Sequence, residues 1–360
     1  MTLKQPLLRG FGTDVNRAEI ELAGDARKSE VQKLRAKLID IAAKVEQASW
    51  VLVLSVDRLH IQQQLVKRTE EDRRRVTDRE NFDASPGQAA QENSYVEHSL
   101  ADLVHAQEQV QIASDKLKTL MNDPKLPVSG ETLVLPTTQP VDKPITFNLL
   151  DAVTTALRDR PEVQRALLTI KDAAIRQRVA ENGLLPVLDI SATVRYNGMD
   201  PNAPAASYGN NFKGNFIDYL LSGQFKVPIG NRGPRAQYRQ RVLEREKTVR
   251  DYQAEAQTVI GDVKDALHTV TGSYRSVGAT RSFRRAAADN VRALDIQQKA
   301  GAALTPEFLL NLKLNAEQQL ATAERNEAQA VVTYDNAITS YYKATGTLLQ
   351  QDGIEFKPLQ

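Results

Sequence analysis

The feature that most constrains this chain is a helical heptad pattern that continues for tens of residues. Between Asn16 and Arg79 the sequence has no proline, and Gly24 is its one internal glycine. Apolar residues recur every seven positions in one seam, made of Val31, Leu38, Val45, Leu52, Leu59 and Val66. A second seam position is held by Leu34, Ile41 and Ala48. So long a register predicts coiled-coil packing, in a helix roughly 90–100 Å long that no compact domain could enclose.

A second helix is expected to run back along the first. The segment Asp83-Ala84-Ser85-Pro86-Gly87 breaks the first helix, and a seven-residue spacing then continues to Met121 through Val96, Leu103, Val110 and Leu117. This pattern predicts an antiparallel helical hairpin. The prolines between Asn122 and Thr146 then predict an irregular connector, and a helix from Phe147 to about Gly183 should break at Arg160-Pro161-Glu162.

Two segments between Pro186 and Gly230 alternate with the two-residue period of a β-strand. Apolar and polar residues alternate over 187–196 and again over 217–229, with a Gly-, Asn-, Pro- and Ser-rich stretch between them. Each segment has about the 10 residues that a tilted strand needs to cross a bilayer. Periodicity alone leaves open a membrane hairpin and an edge hairpin of a soluble domain. No run of 18 apolar residues is present, so any entry into a membrane would be by strands.

The second half of the sequence repeats the first. Val242, Val249, Ala256, Val263, Val270 and Val277 recur every seven residues, and an offset of 218 maps Gly12 onto Gly230. A helix break recurs at Gly301 to Pro306, and the last helix has Ala316, Ala323, Ala330 and Ala337 at its seam. We therefore predict a first repeat at 1–121, a connector at 122–146, a second repeat at 147–346 with its β-hairpin at 186–230, and a tail at 347–360. The first repeat lacks the helix and strand that open the second, so we expect a longer form with roughly 65 further N-terminal residues and a signal peptide.

Composition and motifs disfavour an enzyme and a nucleic-acid partner. Lys+Arg 47 against Asp+Glu 45 leaves a net charge of +2, which provides no attraction for nucleic acid. Cysteine is absent, the histidines His60, His98, His105 and His268 are scattered, and no nucleophile, phosphate-loop or zinc-protease motif occurs. We expect no catalytic residue, no cofactor and no metal ion.

A series of short motifs resembles the TolC-type outer-membrane efflux proteins. In chain order they are Gln5-Pro6-Leu7-Leu8-Arg9-Gly10-Phe11-Gly12, Arg160-Pro161-Glu162, Leu185-Pro186, Val227-Pro228-Ile229-Gly230-Asn231-Arg232, Gly301 with Thr305, and Ala344-Thr345-Gly346-Thr347-Leu348. The resemblance implies a mainly α fold with a small β part. Long antiparallel coiled-coil hairpins would form an α-barrel, and membrane strands would contribute to a trimeric β-barrel. Three strands are expected in this chain, at 3–9, 187–196 and 217–229.

The resemblance also implies a function. The chain would be an outer-membrane exit duct that extends into the periplasm and passively exports small molecules or proteins in a tripartite efflux or secretion system. Its partners would be two further copies of itself, a periplasmic adaptor (membrane fusion) protein, an inner-membrane pump and outer-membrane lipid, without nucleic acid. The alternative is a soluble periplasmic coiled-coil scaffold or adaptor, which has no use for strands with outward-facing apolar residues.

The implied roles fall on three groups of residues. Facing the water-filled lumen would be Asp189, Thr193, Arg195, Gln224 and Lys226. Facing lipid would be Leu188, Ile190, Val194, Tyr219, Leu221 and Phe225. The periplasmic mouth, where the adaptor binds, would be formed by Phe82, Asp83, Ser85, Pro86, Gly301, Ala302, Ala303, Leu304 and Thr305.

Overall fold

The structure, a computed structural model, describes residues 1–79, 86–197, 217–300 and 306–356. Within these ranges the chain is mainly helical with one small antiparallel sheet. The elements are β1 (Thr2–Pro6), α1 (Thr13–Asn16), α2 (Ala18–Arg79), α3 (Pro86–Met121), α4 (Leu149–Asp159), α5 (Pro161–Asn182), β2 (Val187–Tyr196), β3 (Ile217–Lys226), α6 (Arg232–Lys299), α7 (Pro306–Thr345) and α8 (Leu348–Gln351). In the described part of the chain, no helix is both long enough and apolar enough to cross a membrane.

Most element boundaries lie within a few residues of those expected from the sequence. Arg160 has an extended backbone, with φ −69° and ψ 127°, as expected of a residue that precedes proline, and Pro161 starts α5. The strand expected at 3–9 is regular only over β1. Beyond it, the amide of Leu7 still donates to the carbonyl of Leu188 in β2, and the amide of Arg9 donates to the carbonyl of Pro186. The strand expected at 217–229 ends at Lys226. Pro228 lacks the N–H that a longer ladder would need.

The chain divides into two compact units. The first consists of Met1–Leu34 and Pro161–Gln257 and contains the sheet. The second consists of Arg35–Arg160 and Thr258–Gln360 and contains most of the long-helix core. Each unit therefore combines segments from both predicted repeats. The internal repeat itself stays a prediction.

The heptad seams are confirmed where small and β-branched residues repeat. The buried residues of α6 include a set spaced alternately by four and three, made of Val259, Val263, Ala266, Val270, Ser273 and Val277. All four seam alanines of α7 are buried as well. The expected seam is wrong at Leu34 and Ile41, whose side chains are exposed. On this part of α2 the buried residues are instead Ile39 and Ala43, because they pack against Leu348 and Leu349 of α8.

A glycine at the end of α7 fixes a close contact within the second unit. Gly346 has φ +73°, and a Cβ atom there would lie 3.1 Å from the carbonyl oxygen of Asp159 and 3.2 Å from the amide nitrogen of Arg160. Two motifs far apart in the sequence, at Arg160-Pro161 and at Ala344–Leu348, are thus brought into backbone contact.

Candidate functional site

The sheet is a three-stranded antiparallel ladder with β2 in the centre. β2 and β3 pair along their whole length, from Val187 opposite Lys226 to Tyr196 opposite Ile217. β1 pairs with the first part of β2, and Lys4 lies opposite Ser191. Directly opposed residues of antiparallel strands project to the same side, and side chains alternate along each strand. The register therefore assigns every strand residue to one of two faces.

One face is mostly polar and is cross-linked by side chains. It contains all five residues expected to face a lumen: Asp189, Thr193, Arg195, Gln224 and Lys226. Lys4 Nζ lies 2.7 Å from Asp189 Oδ2, the hydroxyls of Ser191 and Ser222 are 2.8 Å apart, and those of Thr2 and Thr193 are 3.1 Å apart. Leu220, 60% exposed, is an apolar exception on this face.

The opposite face is apolar and open. It contains all six residues expected to contact lipid: Leu188, Ile190, Val194, Tyr219, Leu221 and Phe225. Tyr219 and Leu221 are each 77% exposed, and Phe225 is 64% exposed. A contiguous exposed apolar face of this kind marks a surface made to contact a partner or a membrane.

The end of the sheet is joined to the helices by a hydrogen-bonded corner. The amide of Gly10 donates to Asn182 Oδ1 at 2.7 Å, and Asn231 Nδ2 donates to the carbonyl of Leu184 at 3.0 Å. Arg9 also donates to the carbonyl of Gly183, at 2.6 Å. The motifs containing Gly10 and Asn231 thus serve to orient the strands on the helices. Asn182 was not predicted from the sequence, although an asparagine just before a glycine at a helix end is a usual helix-stop signal.

The predicted mouth cannot be placed in the same way. Phe82, Asp83, Ser85, Gly301, Ala302, Ala303, Leu304 and Thr305 lie outside the described residues, and Pro86 is described only as the first residue of α3. The helices that flank these segments are described. A hydrogen bond from Gln91 Nε2 to Asn311 Oδ1 joins α3 to α7 close to them.

A second feature that was not predicted is a buried group of charges on α2, α3 and α7. Asp72, Glu92, Lys313 and Glu317 are each at least 95% buried. The signal was present in the sequence, because Asp72 lies four residues before the buried Val76, and Glu92 lies four before Val96. Within the described ranges, no group of three or more His, Asp or Glu side chains is arranged to hold a metal ion.

Comparison with known proteins identifies the class of this fold. The structure is similar to the CmeC outer membrane channel of Campylobacter jejuni, with a TM-score of 0.72 and 16% identity over 96% of this chain and 70% of that one. It is similar to the open state of the MtrE outer membrane channel of Neisseria gonorrhoeae, with a TM-score of 0.73 and 20% identity over 97% of this chain and 79% of that one. The VceC outer membrane protein of Vibrio cholerae gives a TM-score of 0.75 and 15% identity over 96% and 78% of the two chains. The fold is therefore that of outer-membrane channels.

The family is identified from the sequence itself. The model of the family described as "Outer membrane efflux protein" matches residues 152–347, more than half of the chain. A search of curated proteins gives no significant match. The chain belongs to the outer membrane efflux protein family, and the predicted resemblance is confirmed. Family membership supports the role of an efflux channel of the outer membrane, and the family and the similar structures are channels rather than enzymes.

Proposed function

We propose that this chain is the outer-membrane exit duct of a tripartite efflux or secretion system and works as a homotrimer. The observation that carries the proposal is the two-faced sheet. Its register separates a polar, cross-linked face from an apolar face whose large side chains are exposed. Strands that pass through a bilayer as part of a barrel need this division, with apolar residues toward lipid and polar residues toward water.

The apolar face of the sheet would contact lipid, and the polar face would contact water in the lumen. Leu188, Ile190, Val194, Tyr219, Leu221 and Phe225 would contact lipid. Asp189, Thr193, Arg195, Gln224 and Lys226 would line the lumen, with the buried Asp189 paired to Lys4. The strands of one chain leave both edges of the sheet, β1 and β3, without a partner strand among the described residues. Further strands, including those of two other copies, would pair with these edges and close the barrel.

The long helices would carry the duct across the periplasm. The segments 82–86 and 301–305 join the ends of the long helices, so they would form the periplasmic mouth and contact the adaptor protein. Transport through the duct would be passive, and an inner-membrane pump would supply the energy. The repeated order of strand end, long helix, turn and return helix would place both turns at the same end of the duct.

Fractionation tests the proposal directly. We expect the complete gene product to sediment with the outer membrane and to migrate as a trimer that heating dissociates on gel electrophoresis. Recovery of a monodisperse monomer from the soluble periplasm would contradict it and would favour a coiled-coil scaffold.

The mouth is tested separately. Replacement of Gly301 by valine should reduce adaptor-dependent export while the heat-dissociable trimer still forms. Alanine at the same position is the matched control for loss of the glycine. Unchanged export by the valine variant would show that this segment does not contact the adaptor.

A further inference from the structure

Four helices of the second unit meet at one buried group of charges. Lys313 of α7 lies at its centre, and its Nζ is 2.8 Å from Asp72 Oδ1 of α2 and 3.1 Å from Asp295 Oδ1 of α6. Glu317, one turn further along α7, is 3.9 Å from the same nitrogen. Glu92 of α3 completes the group: it is fully buried, and its helix packs at this level against Val76 of α2 and Leu314 of α7. The charges of Asp72 and Lys313 accordingly affect its pKa. Each of the four helices therefore contributes at least one ionisable side chain.

The group contains more acidic than basic side chains, and some of its carboxyl oxygens have no hydrogen-bond partner among the described residues. Around Lys313 the facing charges are Asp72, Arg68 and Arg75 from α2, Asp295 from α6, Glu92 from α3, and Glu317 and Glu324 from α7. Tyr95 and His98 of α3 lie at the nearby cavity that Glu317 lines. Among the described residues, both carboxyl oxygens of Glu92 and Oε2 of Glu317 have no hydrogen-bond partner. An ionised carboxylate buried in this way would lack the donors it needs.

Burial and the neighbouring charges raise the pKa values of both glutamates, which favours their protonated, neutral forms. Burial, reinforced by the negative charge of Asp72 and opposed by Lys313, raises the pKa of Glu92 to about 7. Burial and the charge of Asp72 likewise raise the pKa of Glu317 to about 8, against Lys313 and Arg68. Burial alone would lower the pKa of Lys313, but bonds and charges from Asp72, Asp295 and Glu317 outweigh it, so the lysine stays charged.

We propose that Glu92 and Glu317 form a proton-binding site that fastens the four long helices together beside the predicted mouth. With protons bound, the positive Lys313 and Arg75 balance the negative Asp72 and Asp295, and the neutral glutamates pack without excess charge. When the protons leave, two more negative charges are buried beside Asp72, and the helices separate more easily. Along the helices, Asp72, Glu92 and Lys313 lie about two turns before or after the described residues end at 79, 86 and 306.

The sign of the effect follows from linkage. Both groups have pKa values above the ordinary value of 4.5, so the folded site holds protons that an opened one releases. Their stabilisation is fully present below pH 4.5 and is lost as the pH rises through about 7 and 8. Between about pH 6 and about pH 9, Glu92 alone should change the local opening equilibrium about tenfold.

Hydrogen exchange on the full chain, read as protection factors corrected for the intrinsic effect of pH, tests the proposal. We expect protection to fall at least about tenfold from about pH 6 to about pH 9 in the end turns of α2, α3, α6 and α7 around the site. The N-terminal part of α6, in the first unit, should not change in this way. Glu92→Gln and Glu317→Gln, which imitate the protonated side chains, should each reduce the pH dependence, and the double variant should abolish it.

Glu97→Gln is the matched control, because Glu97 lies on the same helix and is exposed. Asp72→Asn provides a second measurement. It removes a negative charge that adds to the effect of burial on both pKa values, so the midpoint of the transition should move to lower pH. Equal pH dependence in wild type and the double glutamine variant would overturn the proposal, as would an unmoved midpoint in Asp72→Asn.

Easier separation of these helices would affect export only if the proposed function is correct, whereas proton binding does not depend on that function. Hydrogen exchange needs no transport, so a missing pH effect refutes the proton site whether or not the protein is a duct. A pH effect in exchange that has no counterpart in channel conductance would instead count against the mouth assigned to these helix ends.

Discussion

Replacement of Gly346 by alanine isolates the cost of the contact between α7 and the end of α4. Two separate costs to the folding free energy add when alanine replaces glycine at this position. An L-residue in the left-handed region costs about 1–2 kcal/mol, and Gly346 has φ +73°. Its new Cβ would also meet the backbone of Asp159 and Arg160 at 3.1–3.2 Å, where no flexible side chain can move aside. Overpacking of this kind costs a further 1–3 kcal/mol or so, for a total of about 2–5 kcal/mol.

Gly353 provides the matched control. It has φ +68°, but no atom lies within 4 Å of the position that a Cβ would take, so Gly353→Ala should cost only about 1–2 kcal/mol. Both changes restrict the unfolded chain equally, and that contribution cancels in the comparison. Urea unfolding can be followed by the fluorescence of Trp50, the single tryptophan, which lies in the same unit. Equal losses of unfolding free energy in the two variants would refute the close contact.

Three further perturbations probe the second unit by the same unfolding assay. Ala323, fully buried in the α7 seam, should lose about 1–3 kcal/mol on replacement by leucine, whereas the exposed Ala279 should tolerate it; no loss at Ala323 would refute the tight seam. The Tyr334 hydroxyl accepts from the amide of Ile145 at 3.1 Å and donates to the carbonyl of Lys143 at 2.9 Å. Tyr334→Phe should therefore cost about 1–3 kcal/mol and expose the connector to protease, and unchanged proteolysis would show that these bonds do not hold it. Burial, opposed by the amide of Val141, raises the pKa of Asp335 to about 6. The contribution of Asp335 to the stability of the fold is therefore present below pH 3.8 and is lost as the pH rises through about 6. Asp335→Asn should make the fall in stability between pH 3.8 and about 6 less steep, since Glu92 and Glu317 still contribute above pH 4.5. An unchanged profile would show that Asp335 does not contribute to it.

The strands and the regular seams could be predicted because their patterns are local. Residues 187–196 alternate so regularly that the expected strand matches β2 at both ends, and the register then sorts every expected lumen and lipid residue onto opposite faces. In α6, valine and alanine every seven residues leave one face able to pack closely, and that face is buried from Val259 to Val277, whereas Val242, Val249 and Ala256 are half-buried.

Features that depend on distant segments could not be predicted in this way. Ile39 is buried and Ile41 exposed because α8, about three hundred residues later, covers the former. The pairing of Asp72 with Lys313 could not be predicted either, since a single sequence cannot show that opposite charges from two helices meet in the core. The contact at Gly346 also needs α4, which precedes it by almost two hundred residues.

The most direct measurement places the same substitution on each face of the sheet. Leu220 and Leu221 are neighbours on β3, are 60% and 77% exposed, and project to opposite sides. If the apolar face contacts lipid, Leu221→Arg near the middle of the strand should cost about 2–4 kcal/mol of folding free energy in a bilayer and strongly reduce the outer-membrane trimer. Leu220→Arg, on the lumen face, should leave trimer yield near wild type. Equal yields from the two variants, or a greater loss with Leu220→Arg, would contradict the assignment of the faces and with it the duct.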